Sequence, residues 1–260
     1  MKFSKQFITG GLLLCLLALA VPYAAGQETL ILSNGEWPPY YGEKLPHYGF
    51  DSHIVTEAFA LAGIKVEYRF FPWARALKMS EEGNYDGGVG WGNGAEFHKY
   101  HYVSDPTSEY EYVFFYHRDR PFEWGSFADI KGLKVGLTRG YDYPSRIRRM
   151  AESGEFKADR VSKDELNFKK LLIGRIDVFP NDRLAGILQM QQIFTSEEKE
   201  QILYHSRPIE KKTLHLILSK KNKKNEERMN LFNKGLKTLK ENGRYDIIMQ
   251  AAVKGEYNPE

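Results

Sequence analysis

The chain predicts an α/β fold built on a mainly parallel sheet, and three observations carry that prediction. Short apolar strands alternate with amphipathic helices in βαβα order, which implies parallel pairing. The order restarts near residue 118, so a second unit follows the first. Finally, 260 residues with 42% hydrophobic and 27% charged side chains are enough to bury a sizeable core, which excludes a disordered or low-complexity chain.

Residues 29–33 form the first strand. The stretch after it, Asn34-Gly35-Glu36-Trp37-Pro38-Pro39-Tyr40-Tyr41, holds two prolines and reads as a rigid aromatic loop. Asp51 stands where an N-cap would, Ile54, Val55, Ala58, Phe59 and Ala62 recur at helical spacing, and Gly63 marks the stop. Residues 65–70 alternate as a strand, 73–82 read as a helix closed by Gly83, and 86–91 as a short glycine-rich strand. Residues 110–116 make an unusually aromatic strand. Beyond residue 118, strands are expected at 134–137, 160–161, 176–179 and 213–218. A helix over 163–173 offers Leu166, Leu171 and Leu172 as one apolar side. The charged stretch 225–252 breaks at Asn242-Gly243, where one helix stops and another starts.

Lys2 and Lys5 precede an apolar run over residues 8–20, shorter than the roughly 20 residues a bilayer span needs. Residues 1–26 read as a signal peptide cut near Gly26/Gln27, with Ala24 and Gly26 at the small-residue positions. The one cysteine, Cys15, lies in that run without a small residue before it, so no lipid anchor is expected. The mature chain then holds no cysteine, which excludes disulfides and thiol catalysis. Cleavage takes two lysines from 37 basic side chains set against 34 acidic ones. That balance leaves no cation surplus for a nucleic-acid surface.

Seven short stretches stand in order along the chain: Trp37-Pro38-Pro39-Tyr40, Gly49-Phe50-Asp51, Tyr85-Asp86-Gly87, Ser104-Asp105-Pro106, Lys131-Gly132-Leu133-Lys134-Val135-Gly136, Gly174-Arg175-Ile176-Asp177 and Asn242-Gly243-Arg244-Tyr245-Asp246. In these the chain resembles the family 3 extracellular solute-binding proteins, periplasmic receptors that feed polar amino acids and similar solutes to ABC importers. Phe71-Pro72-Trp73-Ala74-Arg75-Ala76-Leu77 resembles a subgroup whose members often have no assigned ligand. The resemblance implies the two-lobed periplasmic-binding-protein fold of type II, each lobe a mainly parallel sheet flanked by helices. Two hinge strands would cross near residues 115–118 and 211–214. Lobe 1 would take residues 27–116 and 215–260, and lobe 2 residues 117–214. The ligand would lie between them, outside the carboxyl ends of the strands.

Candidate ligand-binding residues follow. Trp37, Tyr40 and Tyr41 lie on the loop after the first strand, where rings could stack on a solute or contact a cation, or simply pack the loop. Trp73 and Arg75 open the second helix, with a solvated charge as the plain reading of Arg75. Trp91 and Asn93 follow the third strand among glycines that let a ligand approach the backbone. Thr138, Arg139 and Tyr141 precede Pro144, at the first turn of a helix whose N–H groups suit an anion, and Asp142 there reads as a cap. Asp182 matches, by the resemblance, the acidic residue that receives a ligand ammonium group; the alternative is a cap on a helix over 183–192. The family's carboxylate-clamping arginine is absent here, its place falling on Phe97 or His98. Three alternatives follow: Arg75 replaces it, Arg139 replaces it, or the ligand is one without a carboxylate. His98 and His101 stand at helical spacing without a third metal ligand and read as surface imidazoles.

The expected function is a non-catalytic periplasmic receptor, with no cofactor or metal, that traps a small polar or zwitterionic solute for an inner-membrane ABC permease. Such a protein is expected to be a monomer without nucleic-acid partners. Two alternatives use the same scaffold: a periplasmic dehydratase acting on cyclic carboxylates through Glu36, Asp182 or His98, and a ligand-loaded partner of a membrane sensor.

Overall fold

The computed structural model describes residues 28–139, 141 and 143–258. The expected signal peptide, Gly140 and Asp142 lie outside the described residues. The first half of the chain runs β1 (Thr29–Asn34), α1 (Phe50–Ala60), β2 (Lys65–Phe70), α2 (Trp73–Glu81), β3 (Gly87–Trp91), α3 (Ala95–Tyr100), β4 (His101–Val103) and β5 (Ser108–His117). It continues with β6 (Lys134–Thr138), α4 (Ser145–Ser153), β7 (Lys157–Val161), α5 (Asp164–Leu172), β8 (Val178–Asp182), α6 (Arg183–Ile193) and α7 (Ser196–Lys199). The last elements are β9 (Ile202–Tyr204), β10 (Glu210–Ser219), α8 (Asn225–Glu241) and α9 (Arg244–Lys254).

The strands join in the order β2-β1-β3-β10-β5-β8-β6-β7, with β4 on β10 and β9 on β5. Pairing is parallel toward both ends, where β1 meets β2 and β3 and where β6 meets β7 and β8. Through the middle it is antiparallel, so the sheet is mixed. Two long central strands link the halves. Along β10, residues 210–214 pair with β5, while the residues after them pair with β3 and β4. Along β5, pairing passes from β10 to β8 at Tyr112.

Each half has its own buried clusters. Leu30 and Leu32 of β1 pack with Phe59 of α1 and with Phe232 and Leu236 of α8. Tyr112, Phe114, Leu137 and Met150 gather in the other half, with a further cluster around Phe115, Phe168 and Phe179. All five residues of β8 are buried, as expected of a strand covered on both faces. Helices α1 and α8 touch backbone to backbone at Gly235, where a Cβ would stand 2.1 Å from the Ala58 carbonyl oxygen.

Three sequence expectations are corrected. Asp51 is not the cap of α1; Gly49, at φ 96°, holds that position. Asp51 instead lies buried inside the first turn and accepts from the Tyr41 hydroxyl and from Thr107 Oγ1. Leu166 is 41% exposed, whereas Asn167, Phe168 and Leu171 face inward. The buried side of α5 is rotated because Asp164 and Asn167 both bond Thr138 at its core-facing surface. His101 is fully buried, with Nε2 3.0 Å from Ser80 Oγ, and is not a surface imidazole.

Candidate functional site

The loop after β1 carries a run of rings that continues into α2 and β3. Trp37 stacks on Tyr40 with centroids 4.5 Å apart and meets Tyr110 edge-on at 5.1 Å. Tyr41 meets Trp73 at 5.8 Å, Trp73 meets Trp91 at 5.5 Å, and Trp91 meets Phe97 at 5.8 Å. These contacts tie together residues far apart in sequence because β1 and β3 are adjacent parallel strands with their carboxyl ends side by side. Gly90, at φ 84°, lets the rings close up: a Cβ there would stand 2.9 Å from both Trp73 and Tyr41.

A cavity of about 740 Å³ opens beside this run, lined by Trp37, Asn93, Phe97, Glu109 and Tyr110 among others. Its floor includes residues 211–214 of β10. Asn93 Oδ1 lies 2.5 Å from His98 Nε2, so the amide is oriented by the imidazole. Tyr41, Trp73 and Trp91 are not in the lining but reach it through the contact of Trp91 with Phe97, and the buried Trp91 Nε1 has no hydrogen-bond partner.

The other candidates lie elsewhere. Asp182 lines a second cavity of about 300 Å³, with Tyr40, Leu184 and Met249. Its carboxylate caps α6 by accepting from Ala185 N at 2.8 Å, and also accepts from Glu111 N at 3.3 Å. The Tyr40 hydroxyl donates to both its oxygens at 3.2 Å. This bond joins the β1 loop to the end of β8, and sequence reading did not foresee it. Thr138, Arg139 and Tyr141 line a third hollow of about 300 Å³ against α4. There the Thr138 and Tyr141 hydroxyls donate to buried Asp164. Arg75 is exposed, its guanidinium 4.9 Å above the Phe71 ring. Of the candidates predicted, Trp37 and Asn93 thus share the largest of these cavities, and Tyr41, Trp73 and Trp91 connect to its lining through ring contacts that end at Phe97. Among the described residues, no group of three His, Cys, Asp or Glu could hold a metal ion.

Two buried carboxyls are perturbed. Burial pushes Asp182 up to about 6 and Asp51 up to about 6, against the partial relief of their hydrogen bonds. A carboxyl with a raised folded pKa holds its proton more tightly when folded. Its stabilising contribution is therefore present below the ordinary value of 3.8 and is lost as pH rises through about 6. The stability of the wild type relative to Asp51→Asn is expected to fall by about 2–3 kcal/mol between pH 4 and pH 7, at about 1.4 kcal/mol per unit. Urea denaturation across that range checks this, and a flat difference would refute it.

Two halves that meet at paired central strands, with helices on both sides, form the α/β architecture of the periplasmic binding proteins. The sequence matches the bacterial extracellular solute-binding proteins, family 3, over residues 30–254, and the chain belongs to that family. Among solved structures, it is similar to the arginine-bound amino acid ABC transporter substrate-binding protein AbpA of Streptococcus pneumoniae, with TM-score 0.65, 15% identity and coverage of 88% of this chain and 96% of that one. An ancestral cationic amino acid solute-binding protein aligns with TM-score 0.67 and 20% identity, over 86% of this chain and 95% of that one. A histidine kinase sensor domain with similarity to periplasmic binding proteins aligns with TM-score 0.64 and 19% identity, over 86% and 96%. At these identities the likeness is one of fold. A comparison with curated protein sequences finds no significant match.

Proposed function

We propose that this protein is exported to the periplasm, captures a small polar solute in the cavity beside Trp37, and presents it to an ABC-type permease. The observation that carries this reading is the convergence of Trp37, Asn93, Phe97 and Tyr110 on one cavity at the carboxyl ends of β1 and β3. Such a position and lining are those of a solute site: apolar rings supply burial, and a few polar groups select. Lobe 1 would comprise β1 to β4 with α8 and α9, and lobe 2 the chain from β6 to β9. The hinge would lie where β5 and β10 run side by side. Glu36, His98 and Asp182, the side chains a dehydratase reading would call on, are not among those lining this cavity. Among the described residues no helix is long and apolar enough to cross a membrane.

A thermal-shift screen of the purified protein against amino acids, amines, organic acids and short peptides tests the reading. A true ligand at about 100 times its dissociation constant adds about 2.7 kcal/mol, a rise of roughly 5–10 °C for a chain of this size. Trp37→Ala is expected to abolish that rise, measured against the variant's own unliganded melting temperature, which the lost contacts with Tyr40 and Tyr110 should lower. A screen in which no solute shifts the transition would sink the receptor assignment.

A further inference from the structure

We infer that the solute of the aromatic cavity is an organic cation without a carboxylate, such as an alkyl diamine or a quaternary ammonium compound. The inference rests on the reading of that cavity as the solute site, and it is carried by the charges and rings around it.

Four charged side chains line the cavity: Glu96, Glu109, Lys211 and Lys212. The two lysines already have acidic partners. Lys211 Nζ lies 3.1 Å from Glu111, and Lys212 Nζ lies 3.2 Å from Glu210. Glu96 and Glu109 make no ion pair among the described residues. The cavity therefore offers two carboxylates that no cation of the described residues pairs with, while each of its lysines has an acidic neighbour, Lys211 sharing Glu111 with Arg183. No arginine is among its lining residues, so the planar fork that grips a carboxylate through two parallel hydrogen bonds is missing.

The backbone repeats the message. Gly92 and Gly94 line the cavity just before α3. The Glu96 carboxylate lies against Gly94: a Cβ there would stand 2.2 Å from Glu96 Oε2. A ligand carboxylate placed there would meet a like charge. Asp182 gives no alternative anchor on this side, since its oxygens are taken by Tyr40, Ala185 N and Glu111 N and it lines the other cavity.

The rings suit a cation instead. Trp37 has one face stacked on Tyr40, with the planes 23° apart, and also lines the cavity with Tyr110 and Phe97. The electron-rich faces of Trp, Tyr and Phe attract ammonium groups, most strongly where water is excluded. Glu109 sits beside Tyr110 and supplies the formal countercharge.

Matched pairs of probes that differ by a carboxylate test this directly: putrescine and ornithine, cadaverine and lysine, agmatine and arginine, choline and glycine betaine. Isothermal titration of the purified protein is expected to show a carboxylate-free member binding at least about tenfold tighter than its acid counterpart, because that carboxylate would be buried beside like charges. Glu109→Gln and Trp37→Ala are each expected to weaken that binding about tenfold or more, by loss of the countercharge and of the ring face. Glu109→Gln should match the wild type in circular dichroism and unliganded melting temperature, and Trp37→Ala should match it in circular dichroism. If the acid member binds as tightly as its partner, or if no member of any pair binds, the inference is overturned. In either event, a melting-temperature rise with an amino acid, sugar or organic acid would leave the receptor reading standing, whereas silence across the whole library would remove both.

Discussion

Asp182→Ala is expected to destabilise the protein by about 3 kcal/mol at pH 5, the largest loss from any single polar side chain at the junction of the two halves. At that pH the wild-type carboxyl, pushed up to about 6 by burial, is mostly protonated and carries little charge penalty. Alanine removes the cap of α6, a change that costs about 1 kcal/mol. It also strips the Tyr40 hydroxyl and Glu111 N–H of their acceptor. Tyr40 is only 2% exposed, and an orphaned buried donor costs about 1–3 kcal/mol. At pH 7 the deficit should narrow, because the wild type then bears the cost of a buried charge that alanine lacks. Asp182→Asn keeps an oxygen for the cap and for Tyr40, and should lie much closer to the wild type. Urea unfolding of the three proteins at both pH values decides the matter; equal stability of the alanine and asparagine variants would show that the hydrogen bonds are worth little.

The second large effect is expected at Gly235→Ala, with a loss of about 2–3 kcal/mol and a fall in melting temperature of roughly 5–10 °C. In an exposed helix the same change would be favourable by up to about 1 kcal/mol, since glycine is the poorer helix former. Here the new methyl would lie 2.1 Å from the Ala58 carbonyl oxygen and 2.9 Å from its carbon. Both are backbone atoms that no rotamer change can move, so α8 must shift away from α1 and loosen the contact of Phe232 with Phe59, now at 5.0 Å. A melting temperature that rises on substitution would mean the two helices separate at no cost.

Much of the fold was legible because its signals are local. The alternation in residues 65–70, the helical spacing of Ile54, Val55, Ala58 and Phe59, and the break at Asn242-Gly243 each fall within a single element, and β2, α1, α8 and α9 follow them. The short elements α3, α7, β4 and β9 were not foreseen, since three to six residues hold too little periodicity to be read. Polar burial was the other blind spot. Asp51 looks like a cap because aspartate near a helix start usually is one, but its partners Tyr41 and Thr107 are set by the packing of three separate segments. Leu166 looks like core because leucine usually is, yet the hydrogen bonds of Asp164 and Asn167 to Thr138 decide which side of α5 turns inward. At the candidate site, the aromatic residues after β1 and β3 could be named from the rule that ligands gather at strand carboxyl ends. The bond from Tyr40 to Asp182 spans 142 positions and has no signature short of the folded structure.

Because β5 and β10 cross between the halves as hydrogen-bonded neighbours, from Glu210 opposite Tyr112 to Leu214 opposite Ser108, they form a two-ply ribbon and not a pair of separate tethers. A ribbon flexes readily out of its own plane but resists sideways slippage, which would break every rung at once. Under the proposed receptor function, opening and shutting would be channelled into a single swing, and a captured molecule would meet the same opposing wall on each cycle.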